Sequence, residues 1–577
     1  MDIAGAAKVI HLRGNIEPRR FIRSLLVFIT AICCLLAHAQ NNQLSTAKQL
    51  FEQERWQELT QLLASVPRTS ADLNYYYGVG LGHLERWQEA ESALQAGAKL
   101  APRDKRFPIE LAGVAFKQNH FSQARHNLRH ALRLDPKDSY ANDFLATIYY
   151  LQGNLEAALK YWNRVGKPKI ASVRNEPPLR VHPALLDHAF AFAPESVLTL
   201  DQFLASQGRV HMLETFPSYR FELDARGDGN FDAVFRAQEL NGFGNTKIEA
   251  LARLFGGIFF QEITPEYYNI HGSAANIRTL LRFDVDKRRA YAWYSAPLEG
   301  NPKWRVRFGA DLRNENWTVQ SSFAGPSTFL GALNLRRESV AAEIKRLVGA
   351  RWNWSTSVEV SHRDFRNINP GTALTAQLLA RGYQVKETSA LNFELWRSPE
   401  RRVTVTSGVN SQAGRIWSEP GQAFEKLQAS LEGRWLPKPV GDDLETIVRL
   451  RGGKTFGELP FDELFMLAVQ EDNDLWMHGH EGTRHGQKGS APLGRDYSLA
   501  NWETDKNVFS NGYLTVRLGP LLDVGKSWDT AEALGSHKWL FDTGGQAKMR
   551  VLGVSVVLSY GKDLRSGNNA FFATVKP

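Results

Sequence analysis

Four patterns of apolar and polar positions follow one another along the chain. The first is an apolar run from Ser24 to Ala37, preceded by Arg19, Arg20 and Arg23 and closed by Ala37-His38-Ala39-Gln40. A basic stretch, a short apolar run and a small-x-small exit predict a signal peptide over residues 1–39. The run is shorter than the roughly 20 residues of a spanning helix, so an uncleaved anchor is the weaker alternative. No later stretch is apolar for eighteen residues, so any membrane would be crossed by strands.

The second pattern, residues 42–170, is helical and repeats. Gly78, Ala112 and Ala146 fall 34 residues apart, as do Ala90, Ala124 and Ala158, and Pro102 and Pro136. A 34-residue helix–turn–helix period is the tetratricopeptide signature. Small residues at those packing positions allow paired helices to approach, and the prolines end every second helix. Trp56-Gln57-Glu58-Leu59 echoes Trp87-Gln88-Glu89-Ala90 at a step of 31, which marks an earlier, shorter repeat. Such an α-solenoid offers a concave face to polypeptide, the alternative being a passive spacer.

The third pattern, residues 183–240, mixes elements. Leu186–Phe192 reads as a strand, Val197–Phe203 and Val210–Thr215 as helices, and Tyr219–Asp224 and Phe231–Gln238 as a hairpin around Asp228-Gly229. The fourth, residues 242–577, alternates with period two between Gly, Pro, Asn and Asp turns. Trp304–Asp311, Trp352–Val360, Arg402–Thr406 and Leu427–Trp435 are its clearest strands. Some 335 residues accommodate about sixteen strands of an antiparallel transmembrane β-barrel, with a large soluble β-sandwich as the alternative. The fold class expected is thus multidomain α + β: a tetratricopeptide solenoid, a small α/β domain and a C-terminal barrel.

Composition sharpens this picture. Mean hydropathy is −0.35 with 43% hydrophobic residues, which excludes a helical membrane protein but suits a barrel, apolar only at alternate positions. The 32 Phe, 16 Tyr and 15 Trp would serve as interfacial girdles. Both cysteines, Cys33 and Cys34, lie in the signal segment, so the mature chain has no thiol, as an oxidising compartment favours. Of the net charge of +9, residues 1–39 carry +3, and the rest, spread along the chain, points to weak attraction to anionic lipid headgroups rather than nucleic acid. Phosphate loops, HExxH, GxSxG and Cys/His metal spacings are absent, so no catalytic residue, cofactor or metal is expected. Asp224, Asp228 and Gly229 have calcium-loop spacing, but Arg226 and Phe235 occupy ligand positions. His478, His480 and His485 are a weak metal candidate, lacking a fixed scaffold. Asp472 and Asp474 read as solvated loop charges.

The order of motifs near the C-terminus carries a resemblance. Leu459-Pro460-Phe461-Asp462-Glu463-Leu464-Phe465 opens a long loop containing Met477-His478-Gly479-His480; Gly519-Pro520-Leu521-Leu522-Asp523-Val524-Gly525 and Tyr560-Gly561-Lys562-Asp563 follow. Residues 183–577, and 459–575 most specifically, resemble the BamA/TamA-like outer-membrane barrel superfamily, also called the bacterial surface antigen family. The 183–240 segment similarly resembles a polypeptide-transport-associated (POTRA) domain. The resemblance implies that the loop tip, Met477–His480, folds into the barrel and packs against the strand motif Leu521, Asp523 and Gly525. The family's tip arginine is here His478, a weaker partner for Asp523, so the resemblance implies a lock that is weakened or moved to Arg495. The function implied is outer-membrane protein assembly or polypeptide translocation in a Gram-negative-type cell. The arm would lie in the periplasm and bind polypeptide clients or accessory subunits, and the barrel would contact outer-membrane lipid. The alternatives are a surface receptor or passive pore, and lipid transport.

Overall fold

The computed structural model describes residues 43–576 except 66–69, 256, 259–260, 322–326, 419–420, 512–513, 532 and 552–553. The export segment read over residues 1–39 lies outside the described residues. The chain divides into two compact units between Ile148 and Tyr149.

The first unit is helical: α1 (43–52), α2 (Trp56–Ala64), α3 (Ala71–His83), α4 (Trp87–Leu100), α5 (Arg106–Lys117), α6 (Phe121–Leu134) and most of α7 (Ser139–Leu151). Glu54, Glu85 and Asn119 adopt left-handed conformations (φ 55, 59 and 60°) in the tight turns before α2, α4 and α6, and so mark the period in the backbone. Ala90, Ala112, Ala124 and Ala146 are fully buried. A Cβ at Gly78 would lie 2.6 Å from Leu94 Cγ, so glycine is what lets α3 and α4 close. Pro102 and Pro136 sit in the turns after α4 and α6. Leu59, Leu73, Leu81, Leu94 and Phe107 form the core.

The second unit opens with α8 (Leu155–Trp162), where Ala158 is buried. A small domain follows: β1 (Ile170–Glu176), α9 (Pro183–Ala189), α10 (Leu200–Met212), β2 (Ser218–Ala225) and β3 (Phe231–Gln238). The sheet order is β1-β3-β2, with β1 parallel and β2 antiparallel to β3. The strand expected at Leu186–Phe192 is instead helix α9 and the chain just after it. Pro183 starts α9, and Leu185, Leu186 and Ala189 bury one helical face. The first strand lies upstream at 170–176, hidden from hydropathy because most of it is only half-buried. The two expected helical stretches are joined by one helix, α10, which overlaps about half of each and opens on a Thr199/Gln202 capping box.

The remainder is a single antiparallel sheet of fifteen long strands among the described residues. They are β4 (262–270, interrupted after Ile263), β5 (Ala275–Arg282), β6 (Lys287–Leu298), β7 (Asn301–Ser321), β8 (Thr328–Leu347), β9 (Trp352–Arg366), β10 (Gly382–Ser398), β11 (Val403–Trp417), β12 (Gln422–Trp435), β13 (Leu444–Gly457), β14 (Asp496–Ser510), β15 (Leu514–Trp528), β16 (Leu540–Val551), β17 (Val554–Asp563) and β18 (Asn569–Lys576). Arg402 itself is a left-handed turn residue before β11. Residue-by-residue ladders connect every neighbour from β4 to β18. The sheet curls until β18 comes round beside β4, but no such ladder joins them among the described residues, and a seam is left. About sixteen strands were expected; the fifteen found give β4 and β18 the same direction, because neighbours alternate.

The two faces of the wall differ. Along β9, Val358 and Val360 are exposed on the outside, while Ser361 and Arg363 are buried within. Exposed aromatics gather at strand ends: Trp352, Trp396 and Trp435 towards the short turns, Tyr383, Trp417, Trp528 and Trp539 towards the long loops. Val358, Leu391, Val409, Leu427, Leu431 and Leu450 fill the outer face between them. The small domain meets the short-turn end, where buried Arg305 donates to the Met212 and Leu213 carbonyls at 3.0 Å and pairs with Glu214 at 3.0 Å. Helix α8 meets the turn after β10 through Lys160–Glu400 (2.6 Å) and Glu156–Arg397 (2.8 Å).

Candidate functional site

Between β13 and β14, residues 458–495 fold back inside the barrel and bond to the wall at three places. The first anchor is a 3-10 turn, Phe461–Glu463. Asp462 accepts from Arg363 at 2.7 Å and Arg337 at 3.2 Å. Glu463 accepts from Lys386 at 2.9 Å and from Gln384 and Arg337 at 3.3 Å, with Lys426 3.6 Å away. Burial would push the Glu463 carboxyl up, yet Lys386, Arg337, Lys426 and Arg363 hold it well below the usual range.

The second anchor lies towards the seam side of the wall. Asp472 accepts from Arg289 at 2.6 Å, Arg282 at 2.9 Å and Lys488 at 3.0 Å, and Glu471 pairs with Lys287 at 3.3 Å. Lys488 also reaches Glu315 at 2.6 Å. Burial again opposes the charge on Asp472, and Lys488, Arg289 and Arg282 overcome it. The reading of Asp472 as a solvated charge is therefore corrected: its side chain is 7% exposed, whereas Asp474 is 91% exposed. Nothing in the local sequence separates the two; the basic wall does.

The third anchor is the tip. Asn501, Asp523, Asp542 and Asp563 stand directly opposite one another on β14, β15, β16 and β17. Three carboxylates in one cross-strand row repel, a destabilising arrangement unless something compensates. The tip does so. His478 offers its backbone N–H (2.8 Å) and Nδ1 (2.7 Å) to Asp523. Gly479 N–H donates to Asp542 at 2.6 Å, and His480 Nδ1 lies 3.1 Å from Asp542 and its Nε2 3.7 Å from Asp563. Asn501 donates to the other Asp523 oxygen at 2.6 Å. Burial alone would push the His480 imidazole down, but its bond to Asp542 and the charges of Asp542, Asp563 and Asp523 hold it above its ordinary value.

Close approach is achieved with glycine. Gly561 faces the His478 carbonyl so closely that any Cβ would overlap it, and a Cβ at Gly525 would lie 2.8 Å from Met477 Sδ. Leu521 is buried on the same strand as Asp523. The structure thus brings Met477, His478, Gly479 and His480 together with Asp523 and Gly525. Arg495 is elsewhere, at the loop's exit, where its N–H donates to Asp529 at 3.1 Å and its guanidinium lies 3.4 Å from Glu458. The shift of the lock to Arg495 is thereby corrected: Asp523 is already occupied by the tip.

Asp542 escaped the sequence reading, and Gly561 and Asp563 entered it only as part of a motif, without a role at the tip. Their signal was available: Gly561-Lys562-Asp563 places glycine and carboxylate on one face, as Asp523-Val524-Gly525 does. The loop also has an apolar side. Phe465, Leu467, Leu475 and Met477 pack with Tyr497 and Leu499 of β14 and Leu540 of β16. A cavity of about 250 Å³ remains between the first two anchors, lined by Arg337, Lys426, Asp462, Asp472 and Lys488.

Of the three histidines considered for a metal, His485 lines a separate cavity. The group that could hold a cation is His480, Asp542 and Asp563, whose donor atoms lie within 4.8 Å of one another. Its imidazole addresses the two carboxylates through opposite ring nitrogens, which accounts for the grouping without an ion.

Fold and site together define a β-barrel, with no β4–β18 ladder among the described residues, and an internally anchored plug. No family model matches the sequence. No curated protein matches it either. Among solved structures, the chain is similar to BamA from Haemophilus ducreyi lacking POTRA domains 1–3 (11% identity, 71% of this chain and 85% of that one, TM-score 0.41). It is also similar to CdiB from Escherichia coli (14%, 71% and 75%, TM-score 0.44). A shorter match is to MamA (19%, 22% and 74%, TM-score 0.21).

Proposed function

We propose that this chain is an outer-membrane barrel that assembles or translocates polypeptide, with its helical arm in the periplasm. The observation that carries this reading is a barrel wall with no paired ladder between β4 and β18 among the described residues and a plug held inside by reversible ion pairs. An unladdered strand edge can template an incoming strand, which is how a barrel can insert a client without a nucleotide. The outer band of aliphatic residues between aromatic girdles supports placement in a bilayer. The strand-helix-helix-strand-strand domain at the short-turn end is POTRA-like, and the 34-residue helical repeats suit capture of clients or accessory subunits. His478, Gly479 and His480 are the lock, and Asp523, Asp542 and Asp563 its cradle. We expect no catalytic role and no cofactor.

Reconstitution in liposomes tests the reading. An unfolded outer-membrane or exported polypeptide presented to the arm side should become inserted or protected from protease, dependent on this protein. No transfer above empty liposomes would refute it. The density of the three anchors favours one second reading, a plug that never leaves, in a surface receptor or structural barrel.

A further inference from the structure

We infer that the short helix Lys247–Phe255, α11, is the missing wall element of the barrel: it covers the free edge of β4 at the seam and faces bilayer hydrocarbon. The inference rests on the membrane-barrel reading above.

With β4 and β18 running the same way, one element of opposite direction between them would restore the alternation of the wall. The chain before β4 begins to supply it. Gly242 pairs with Tyr268 in an antiparallel bridge, donating at 2.8 Å and accepting at 2.9 Å. This uses the Tyr268 backbone groups on the edge away from β5, since β5 pairs with the neighbouring Tyr267. Instead of continuing as a strand, the chain becomes α11, capped where Glu249 N–H donates to Thr246 Oγ1 at 3.1 Å. It stays beside β4: Thr264 Oγ1 donates to the Arg253 carbonyl at 3.2 Å, and Glu262 N–H donates to the Gly257 carbonyl at 3.1 Å.

The helix is inverted relative to one on a soluble protein. Its buried side holds an ion pair, Glu249–Arg253 at 3.2 Å, with the guanidinium 5.8 Å from the Tyr268 ring. After Lys247 at its start, its exposed side is apolar: Ile248 (67%), Leu251 (56%) and Phe255 (45%), with Ile258 just beyond. These continue the outer face of the adjoining strands, where Tyr267, Ile277 and Leu281 are exposed and Phe243 packs edge-on against Tyr267. Charge inward and apolar side chains outward is the arrangement of a barrel wall in lipid. A helix with internally satisfied backbone is also a permitted way to cover a strand edge there.

The test uses the full chain with Cys33 and Cys34 replaced, reconstituted in liposomes and spin-labelled singly at Ile248→Cys, Leu251→Cys, Phe255→Cys or, as a wall reference, Val358→Cys. Collision with oxygen and with a water-soluble nickel chelate is compared at each site. All three helix sites should match Val358→Cys, with oxygen access exceeding nickel access several-fold. If Val358→Cys is lipid-like but the helix sites are nickel-accessible, the inference fails and the barrel reading stands. If the helix sites are shielded from both reagents, protein covers them, a second copy or a client strand, and lipid is the wrong occupant. If Val358→Cys is itself nickel-accessible, the membrane reading falls and takes the inference with it.

Discussion

Replacing Glu463 by Gln removes one charge and almost no volume from the first anchor. Around it stand four cations, Arg337, Arg363, Lys386 and Lys426, and three carboxylates, Glu359, Asp462 and Glu463, a net of +1. The substitution leaves +2 in a site where Arg363 and Lys426 are almost wholly shielded from solvent. Removing one partner of a buried ion cluster costs about 3–5 kcal/mol, because the remaining charges lose their counter-ion. The plug can relieve that cost by leaving. The docked-to-released ratio should therefore fall by roughly two to four orders of magnitude, at about 1.4 kcal/mol per decade. Single-channel recording in planar bilayers reads this as a large rise in open time, and hydrogen exchange reads it as faster exchange over residues 458–495. Asp474→Asn, on an exposed side chain, is the control and should change neither. Unchanged conductance and unchanged exchange in Glu463→Gln would refute the claim that these ion pairs hold the plug.

Gly561→Ala should expel the tip without touching a charge, since its Cβ would overlap the His478 carbonyl; faster exchange confined to residues 476–482 checks it. The His480 imidazole is held above its ordinary value when docked, so docking is fully favoured below about pH 6.5 and weakens as pH rises through the docked value. Plug release measured against pH should rise accordingly, and His480→Gln should flatten the profile. In the arm, Gly78→Val should destabilise by about 1–3 kcal/mol through overpacking against Leu94, read as a lower melting temperature of the helical signal, with Gly82→Ala, whose Cβ meets nothing, as the control.

The helical period was legible in sequence because buried small residues recur at fixed steps, and Gly78, Ala90 and Ala124 lie at close helix contacts for that reason. Alternation located the strands, since one face of each is apolar and the other polar. The first strand of the small domain was misplaced because β1 has little apolar signal and because Leu185, Leu186 and Ala189 suit a helix face as well as a strand. At the plug, Asp523 and Gly525 were visible through their motif, but Asp542 and Asp563 join them only through register across β15, β16 and β17. Asp472 shows the limit most clearly. Its partners Arg282, Arg289 and Lys488 come from β5, β6 and the far end of the loop, a convergence no local pattern encodes.

The most direct test of the central claim is photo-crosslinking in living cells from exposed positions on β4 and β18, Tyr267 and Phe571, and from Tyr140 on the arm. The products would be identified by mass spectrometry. Newly made outer-membrane or exported polypeptides captured at both the arm and the strands flanking the seam are the predicted result. Crosslinks to lipid or to one fixed partner alone, with no transient polypeptide at either place, would contradict it.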